Sequence, residues 1–222
     1  MNSNFMQKLL IADDHILVRL GVELLAKEVL GFNCIIDSVS NGKEIEKKLL
    51  SSKYDMLITD LNMPDTDGLE LVALALRLQP ELKILVVSVN PELVFASRYL
   101  RAGVYGYVQK GGSYDELKTA MYEISYGRRF VTSGQSQMFT NAFLTGQPSN
   151  PFDNLSTREF EVTLLLLKGY GILEISNALG INHSTVSTYR VRVFEKLQVK
   201  NIIDLSKLAM RYEIANDAEA SH

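Results

Sequence analysis

Cysteine is almost absent from these 222 residues, with Cys34 standing alone. One thiol cannot build an internal disulfide framework, and in the strand-like run "NCIID" it reads as a small buried hydrophobe. Histidine is scarce as well. His15, His183 and His222 lie far apart in the chain, a spacing that offers no zinc site. No apolar run approaches the roughly 18 residues of a membrane span. The stretch "MNSNFMQKLL" has no basic region and no extended apolar core with a small-residue cleavage site, so no export signal is visible and the cytoplasm is the expected location. An excess of either charge is missing too, since 23 Lys and Arg stand against 26 Asp and Glu. With 46% hydrophobic and 22% charged residues, this is the composition of a soluble globular protein with room for two domains.

Up to about residue 126 strand and helix signals alternate. "KLLIA" (8–12), "CIIDS" (34–38), "MLIT" (56–59), "KILVVS" (83–88) and "YGYVQ" (105–109) are short, apolar and rich in branched residues, as strands buried on both faces are. Helical patterns separate them. The last is clearest, with Leu117, Ala120, Met121 and Ile124 at i, i+3, i+4 and i+7. Five strand–helix pairs with such crossovers imply an α/β unit, a parallel sheet covered by helices on both sides, over residues 1–127.

Residues 128–152 are rich in Ser, Thr, Asn, Gln and Gly and contain Pro148 and Pro151, which reads as a linker with a short helix around Gln137 to Leu144. A second, all-α unit follows over 153–222. Ser156 and Glu159 have capping-box spacing, so a helix starts at Thr157 and runs to Lys168. A short helix fits Ile172 to Leu179. Gly180 then turns the chain, and Asn182 caps a helix from His183 to about Leu197. This is the helix-turn-helix pattern. A last helix from Asn201 to Met210 closes the unit.

The ends of the strands carry the chemistry. In an open parallel sheet ligands gather beyond the carboxyl ends of the strands, and there the sequence places Asp13 and Asp14, Asp60, Ser88 and Lys110. Each alone has an ordinary reading as a turn or cap residue; together they make a site. Like charges a few ångströms apart oppose one another's ionisation. A hard divalent cation with oxygen ligands removes that cost, and magnesium suits a small carboxylate site. With the cation in place Asp60 can attack a phosphoryl group, Lys110 adding fixed positive charge. Asp65 and Asp67, in "MPDTDGLEL", read as turn chemistry and a helix start. A calcium loop of EF-hand type fails at Met63. A phosphatase of the haloacid dehalogenase type fails at Asn62, where it needs a second acid.

On "IADDH", "LITDLNMPDTDGLEL", "VVSV" and "GYVQK", residues 7–126 resemble a two-component receiver domain of flavodoxin-like, doubly wound five-stranded fold. Residues 153–216 resemble the LuxR/NarL-type helix-turn-helix, and the whole is similar to a response regulator of the NarL/FixJ family. The resemblance implies a non-enzymatic transcription regulator whose Asp60 accepts phosphate from a sensor histidine kinase. It implies Mg2+ held by Asp13, Asp14, Asp60 and Asn62, the last through its backbone carbonyl. Ser88 and Lys110 would bind phosphoryl oxygens. Tyr107 would be the switch aromatic, turning inward as Ser88 moves toward the phosphate, with a homodimer as the phosphorylated form. One departure stands out: Gly111 and Gly112 follow the lysine where such receivers often place a proline.

The expected partner of the second unit is double-stranded promoter DNA, although residues 151–222 hold 8 Lys and Arg against 9 Asp and Glu. Positive charge is local, at Arg190, Arg192, Lys196 and Lys200. On a helical wheel Val186, Val193 and Leu197 face inward, while Ser184, Thr188, Val191 and Glu195 lie opposite, flanked by Ser187 and Arg192. Ser187, Thr188 and Val191 match base-reading positions of the family, Arg192 and Lys196 suit phosphates, and Arg190 belongs to the same expected DNA-binding set. These base-reading residues are short or apolar, which favours thymine-methyl contacts and DNA shape over hydrogen-bonded readout.

Overall fold

The structure, a computed structural model, describes residues 8–63, 66–90, 92–145, 150–212 and 214. The chain forms two compact units, residues 1–146 and 147–222.

Five strands make up the sheet of the first unit: β1 (Lys8–Ala12), β2 (Ile35–Val39), β3 (Met56–Thr59), β4 (Lys83–Ser88) and β5 (Gly106–Gln109). They are all parallel in the order β2-β1-β3-β4-β5. This is the doubly wound arrangement expected from the alternating pattern. β3 and β4 are buried almost throughout. β2 is not: it lies at the sheet's edge, and Ile35 is exposed there. The five α-helices between and after the strands are α1 (Ile16–Leu30), α2 (Gly42–Ser51), α3 (Gly68–Leu78), α4 (Glu92–Ala102) and α5 (Tyr114–Ser125). Their starts are written in short polar side chains. Asn41 caps α2 by accepting from the Glu44 amide, Asp67 caps α3 by accepting from Leu69 and Glu70, and Ser113 caps α5 by accepting from Asp115. The helix start expected at Asp67 is therefore present, while Asp65 lies outside the described residues. Ala120, Met121 and Ile124 of α5 are buried, and with Val22, Leu25 and Ala26 of α1 they close one face of the sheet. Cys34 lies in the same core, where burial, with a contribution from the Asp55 charge, pushes its thiol up.

The stretch read as linker differs from expectation. A helix, α6 (Ser133–Thr145), begins four residues before the expected Gln137 and packs on α4. Its start is a reciprocal cap that the reading missed. The Gln135 amide donates to Thr132 Oγ1 at 3.2 Å and the Thr132 amide donates to Gln135 Oε1 at 3.3 Å.

In the second unit a 3-10 turn (Pro151–Asn154) precedes α7 (Thr157–Leu167), α8 (Ile172–Leu179), α9 (His183–Leu197) and α10 (Ile202–Arg211). The Ser156–Glu159 capping box is formed in both directions. Gly180 takes a left-handed conformation, φ +63°, which turns the chain between α8 and α9. Asn182 sits at the start of α9, but its side chain makes no capping bond. Phe152 packs edge-on against Phe160 and Tyr212, with ring centroids 6.3 Å apart in each pair.

Candidate functional site

Parallel register builds the first site. Ala12 pairs with Thr59, so the next residue of each strand, Asp13 and Asp60, emerges side by side, and the Asp60 amide still donates to the Ala12 carbonyl at 2.8 Å. β3 and β4 align Thr59 with Val86, and β4 and β5 align Ser88 with Gln109. Lys110 therefore follows directly, its amide donating to the Ser88 carbonyl at 2.7 Å. Asp13 and Asp60 are 4% and 3% exposed. Carboxylates so buried need compensation, and Lys110 provides it: its Nζ stands 2.7 Å from Asp13 Oδ2 and 2.7 Å from Asp60 Oδ2. Burial works against the Lys110 charge, but the hydrogen bonds and charges of Asp13 and Asp60 outweigh it and hold the ammonium above its ordinary value. The second oxygen of Asp60 accepts from the Leu61 amide at 2.7 Å.

Asp14 is more exposed and pairs with His15, Nδ1 to Oδ1 at 2.7 Å, while the same nitrogen stands 3.3 Å from Asp13 Oδ1. The ligand atoms of Asp13, Asp14 and His15 lie within 4.8 Å of one another, the one such group among the described residues. Asp60 is not in that group. His15 had been set aside as an isolated histidine. Its position two residues past Asp13 was the available signal, since the His15 amide also donates to Asp13 Oδ1 at 2.9 Å.

Ser88 is fully buried, and its Oγ accepts from Asn62 Nδ2 and from the Asn90 amide, each at 3.3 Å. Asn62 Oδ1 in turn accepts from Asn90 Nδ2 at 3.4 Å. Asn90 was not singled out from sequence, being one polar residue in a loop. Tyr107 stands on β5 next to this loop. Its ring is already inside, fully buried, with the hydroxyl donating to the Asn90 carbonyl at 3.0 Å and the ring 5.9 Å from that of Tyr99. Burial pushes its phenol far above the ordinary range. Gly111, in place of a proline, has φ +84° and open space where a Cβ would sit, so backbone conformation alone favours glycine there.

The second site lies on α9. Val186, Val193 and Leu197 are buried as the wheel requires. Thr188, Arg190, Val191 and Arg192 are exposed and Ser187 is half-buried. Val191 is 56% exposed, and the Arg190 guanidinium lies 5.3 Å from the Phe194 ring centroid. Lys196 is a correction. Rather than standing ready for a phosphate, its Nζ binds Glu159 Oε2 at 2.6 Å and the Asn154 carbonyl at 3.3 Å. It braces α9 against the cap of α7, whose Glu159 carboxylate is buried.

Burial works to raise the Glu159 carboxyl, but the Lys196 ammonium and the Ser156 amide outweigh it and hold the group below the ordinary glutamate range. In that window the unfolded chain binds the extra proton, so stability from this group is present above the ordinary value and lost as pH falls through the depressed one. Lys196→Met is expected to destabilise this unit by about 1.5–3 kcal/mol. Urea denaturation at neutral pH would measure the loss, which shrinks as acid neutralises Glu159.

Residues 9–122 match the response regulator receiver domain family, and residues 153–209 match the bacterial regulatory proteins of the luxR family. The response regulator GacA of Pseudomonas aeruginosa is 33% identical over 214 residues, covering 96% of this chain and all of that protein. The response regulator UvrY of Escherichia coli is 30% identical, covering 95% and 97%. Among solved structures, RcsB from Salmonella enterica serovar Typhimurium bound to promoter rprA with the phosphomimetic BeF3- has a TM-score of 0.59 at 26% identity, covering 92% of this chain and 98% of that one. A structure of two RcsB dimers bound to two parallel DNAs has a TM-score of 0.55, also at 26% identity, covering 96% of this chain and all of that one. The fold and the two matched segments agree, and the chain belongs to the DNA-binding response regulators of two-component systems, non-enzymatic transcription regulators of the NarL/FixJ family with a receiver and a luxR-type helix-turn-helix.

Proposed function

We propose that Asp60 is the phosphoacceptor of a sensor histidine kinase, and that the phosphorylated chain forms a homodimer that binds double-stranded promoter DNA in the cytoplasm. The observation that carries this reading is the convergence of two buried carboxylates, Asp13 and Asp60, on the single Lys110 ammonium. An Asp60 oxygen attacks phosphorus, a P–O bond forms, and the P–N bond to the donor imidazole breaks with its electron pair returning to nitrogen. Lys110 and the Ser88 hydroxyl would receive the phosphoryl oxygens.

The donor chemistry fits magnesium: Asp13 and Asp14 bring hard carboxylate oxygens within 4.8 Å of one another, Asp60 stands beside Asp13 on the Lys110 ammonium, and the backbone carbonyl of Asn62 would add a further oxygen. When bound, the cation supplies positive charge against the transferring oxygens. Asp14, now paired with His15, would be a ligand. Asp13 keeps its hold on Lys110, which orients the ammonium beside the nucleophile. The complexes of RcsB with promoter DNA and with BeF3- support the DNA and phosphoryl parts.

The reading is tested by treating the full chain with acetyl phosphate and Mg2+ and following intact mass, oligomeric state and affinity for duplex DNA. One phosphoryl per chain and a rise in affinity are expected. On α9, Ser187, Thr188 and Val191 would meet base edges and Arg190 and Arg192 phosphates. Arg192→Ala is expected to weaken binding across sequences and reduce the salt slope by about 1. Lys196→Ala is expected to act through stability and leave that slope unchanged. A full salt slope for Arg192→Ala would remove that residue from the interface.

A further inference from the structure

Gln135 is a polar side chain with no exposure, on a helix whose sequence reads as linker. Its oxygen is used within the cap of α6, so its amide donors turn elsewhere. Nε2 donates to the Tyr107 carbonyl at 3.0 Å and stands 3.4 Å from Glu92 Oε2. Thr132, the other half of the cap, donates from Oγ1 to Glu92 Oε1 at 2.9 Å. The start of α6 is thus tied to the strand that carries Tyr107 and to the first residue of α4.

Those anchors continue to the phosphoryl site. The Tyr107 hydroxyl holds the Asn90 carbonyl at 3.0 Å, and the Asn90 amide holds Ser88 Oγ at 3.3 Å. Glu92 follows Asn90 by two residues. A Ser88 hydroxyl drawn to a phosphoryl group on Asp60 leaves Asn90, and the loop that carries both the acceptor of Tyr107 and the Glu92 carboxylate loses a restraint. The anchor is also of a kind that releases readily. Its bonds are directional, and hydrogen bonds weaken steeply as their angle is lost.

We propose that the α4–β5 face is a docking surface for the chain's own helix α6, latched by Gln135, and that phosphorylation at Asp60 loosens the latch. α6 is the segment through which the chain continues to the second unit, so this contact sets how tightly the linker follows the switch. The proposal rests on Asp60 as phosphoacceptor. Gln135 acts through Tyr107 and Glu92 and is a positioning residue.

The test is hydrogen–deuterium exchange at the backbone amides of Ser133–Thr145 in the full chain, with and without Mg2+ and beryllofluoride, the adduct being scored separately by fluorine resonance. Adduct formation is expected to speed α6 exchange by about tenfold, the scale of one or two lost hydrogen bonds. Gln135→Leu is expected to exchange fast from the outset, with little further response. Glu92→Gln, which keeps the shape of the acceptor but weakens it, should move in the same direction; it serves if slow exchange in β1 and β3 is also lost in Gln135→Leu. An adduct with unchanged α6 exchange would overturn the latch and leave the phosphoacceptor standing. No adduct would overturn the phosphoacceptor and the latch's trigger with it. Protected α6 amides in both variants would overturn the latch itself.

Discussion

Asp60→Asn is expected to abolish phosphoryl uptake from acetyl phosphate while leaving the first unit folded. The chemical reason is nucleophilicity: an amide oxygen lacks the charge that a carboxylate oxygen brings to phosphorus. The structural reason for retained folding is that asparagine keeps the shape and one acceptor. The Leu61 amide can still donate to it, and Lys110 retains Asp13 as its ion partner. Removing one of two neighbouring carboxylates also relieves repulsion, so the change in unfolding free energy should stay within about 1 kcal/mol. Intact mass after acetyl phosphate and Mg2+ reads the first effect, and a thermal melt reads the second. A variant that still gains one phosphoryl per chain would move the acceptor elsewhere. An unlabelled variant that has also unfolded would show Asp60 to be structural first.

The site was legible because its logic is one-dimensional until the sheet forms. Polar residues ending apolar runs mark strand ends, and parallel pairing brings those ends to one edge. Asp13, Asp60, Ser88 and Lys110 could therefore be placed together without knowing any distance. What sequence could not give was the partner each group chooses. His15 reads as one isolated histidine, yet the turn after β1 folds it back onto Asp13 and Asp14. Tyr107 reads as a switch aromatic, but its partners here, Asn90 and Tyr99 on other elements, are not written in the local sequence. Lys196 reads as one of several cations on a helix surface, and only the approach of α7 commits it to Glu159. The linker failed for a different reason. "TSGQ" carries capping-box spacing, but its surroundings have the composition of a loop, which hides the helix start. For Tyr107 and Lys196 the missing information is a contact between segments distant in sequence; for His15 and the start of α6 it is local, a turn and a cap within three residues.

Lys110→Met carries the largest expected energetic effect, because it leaves Asp13 and Asp60 facing each other with no cation between them. The lysine side chain is 14% exposed and its partners 5% and 2%, so solvent screens the pair little. Breaking such a buried arrangement by removing one partner costs about 3–5 kcal/mol. Methionine preserves most of the length and apolar stem, so packing contributes little to the loss. The deficit should have two signatures that a packing defect lacks. Mg2+ should restore much of it, by about 2.7 kcal/mol at a hundredfold excess over the dissociation constant. The gain should exceed that of the wild type, where the ammonium competes for the same carboxylate oxygens. Adding Asp13→Asn to Lys110→Met should also recover stability in the absence of metal, which makes the two substitutions non-additive. Urea denaturation of the four proteins of that cycle, with Mg2+ and with a chelator, separates the cases. A Lys110→Met protein as stable as wild type in chelator would mean that the paired carboxylates are tolerated uncompensated, and the electrostatic need that draws a cation to this edge of the sheet would vanish with it.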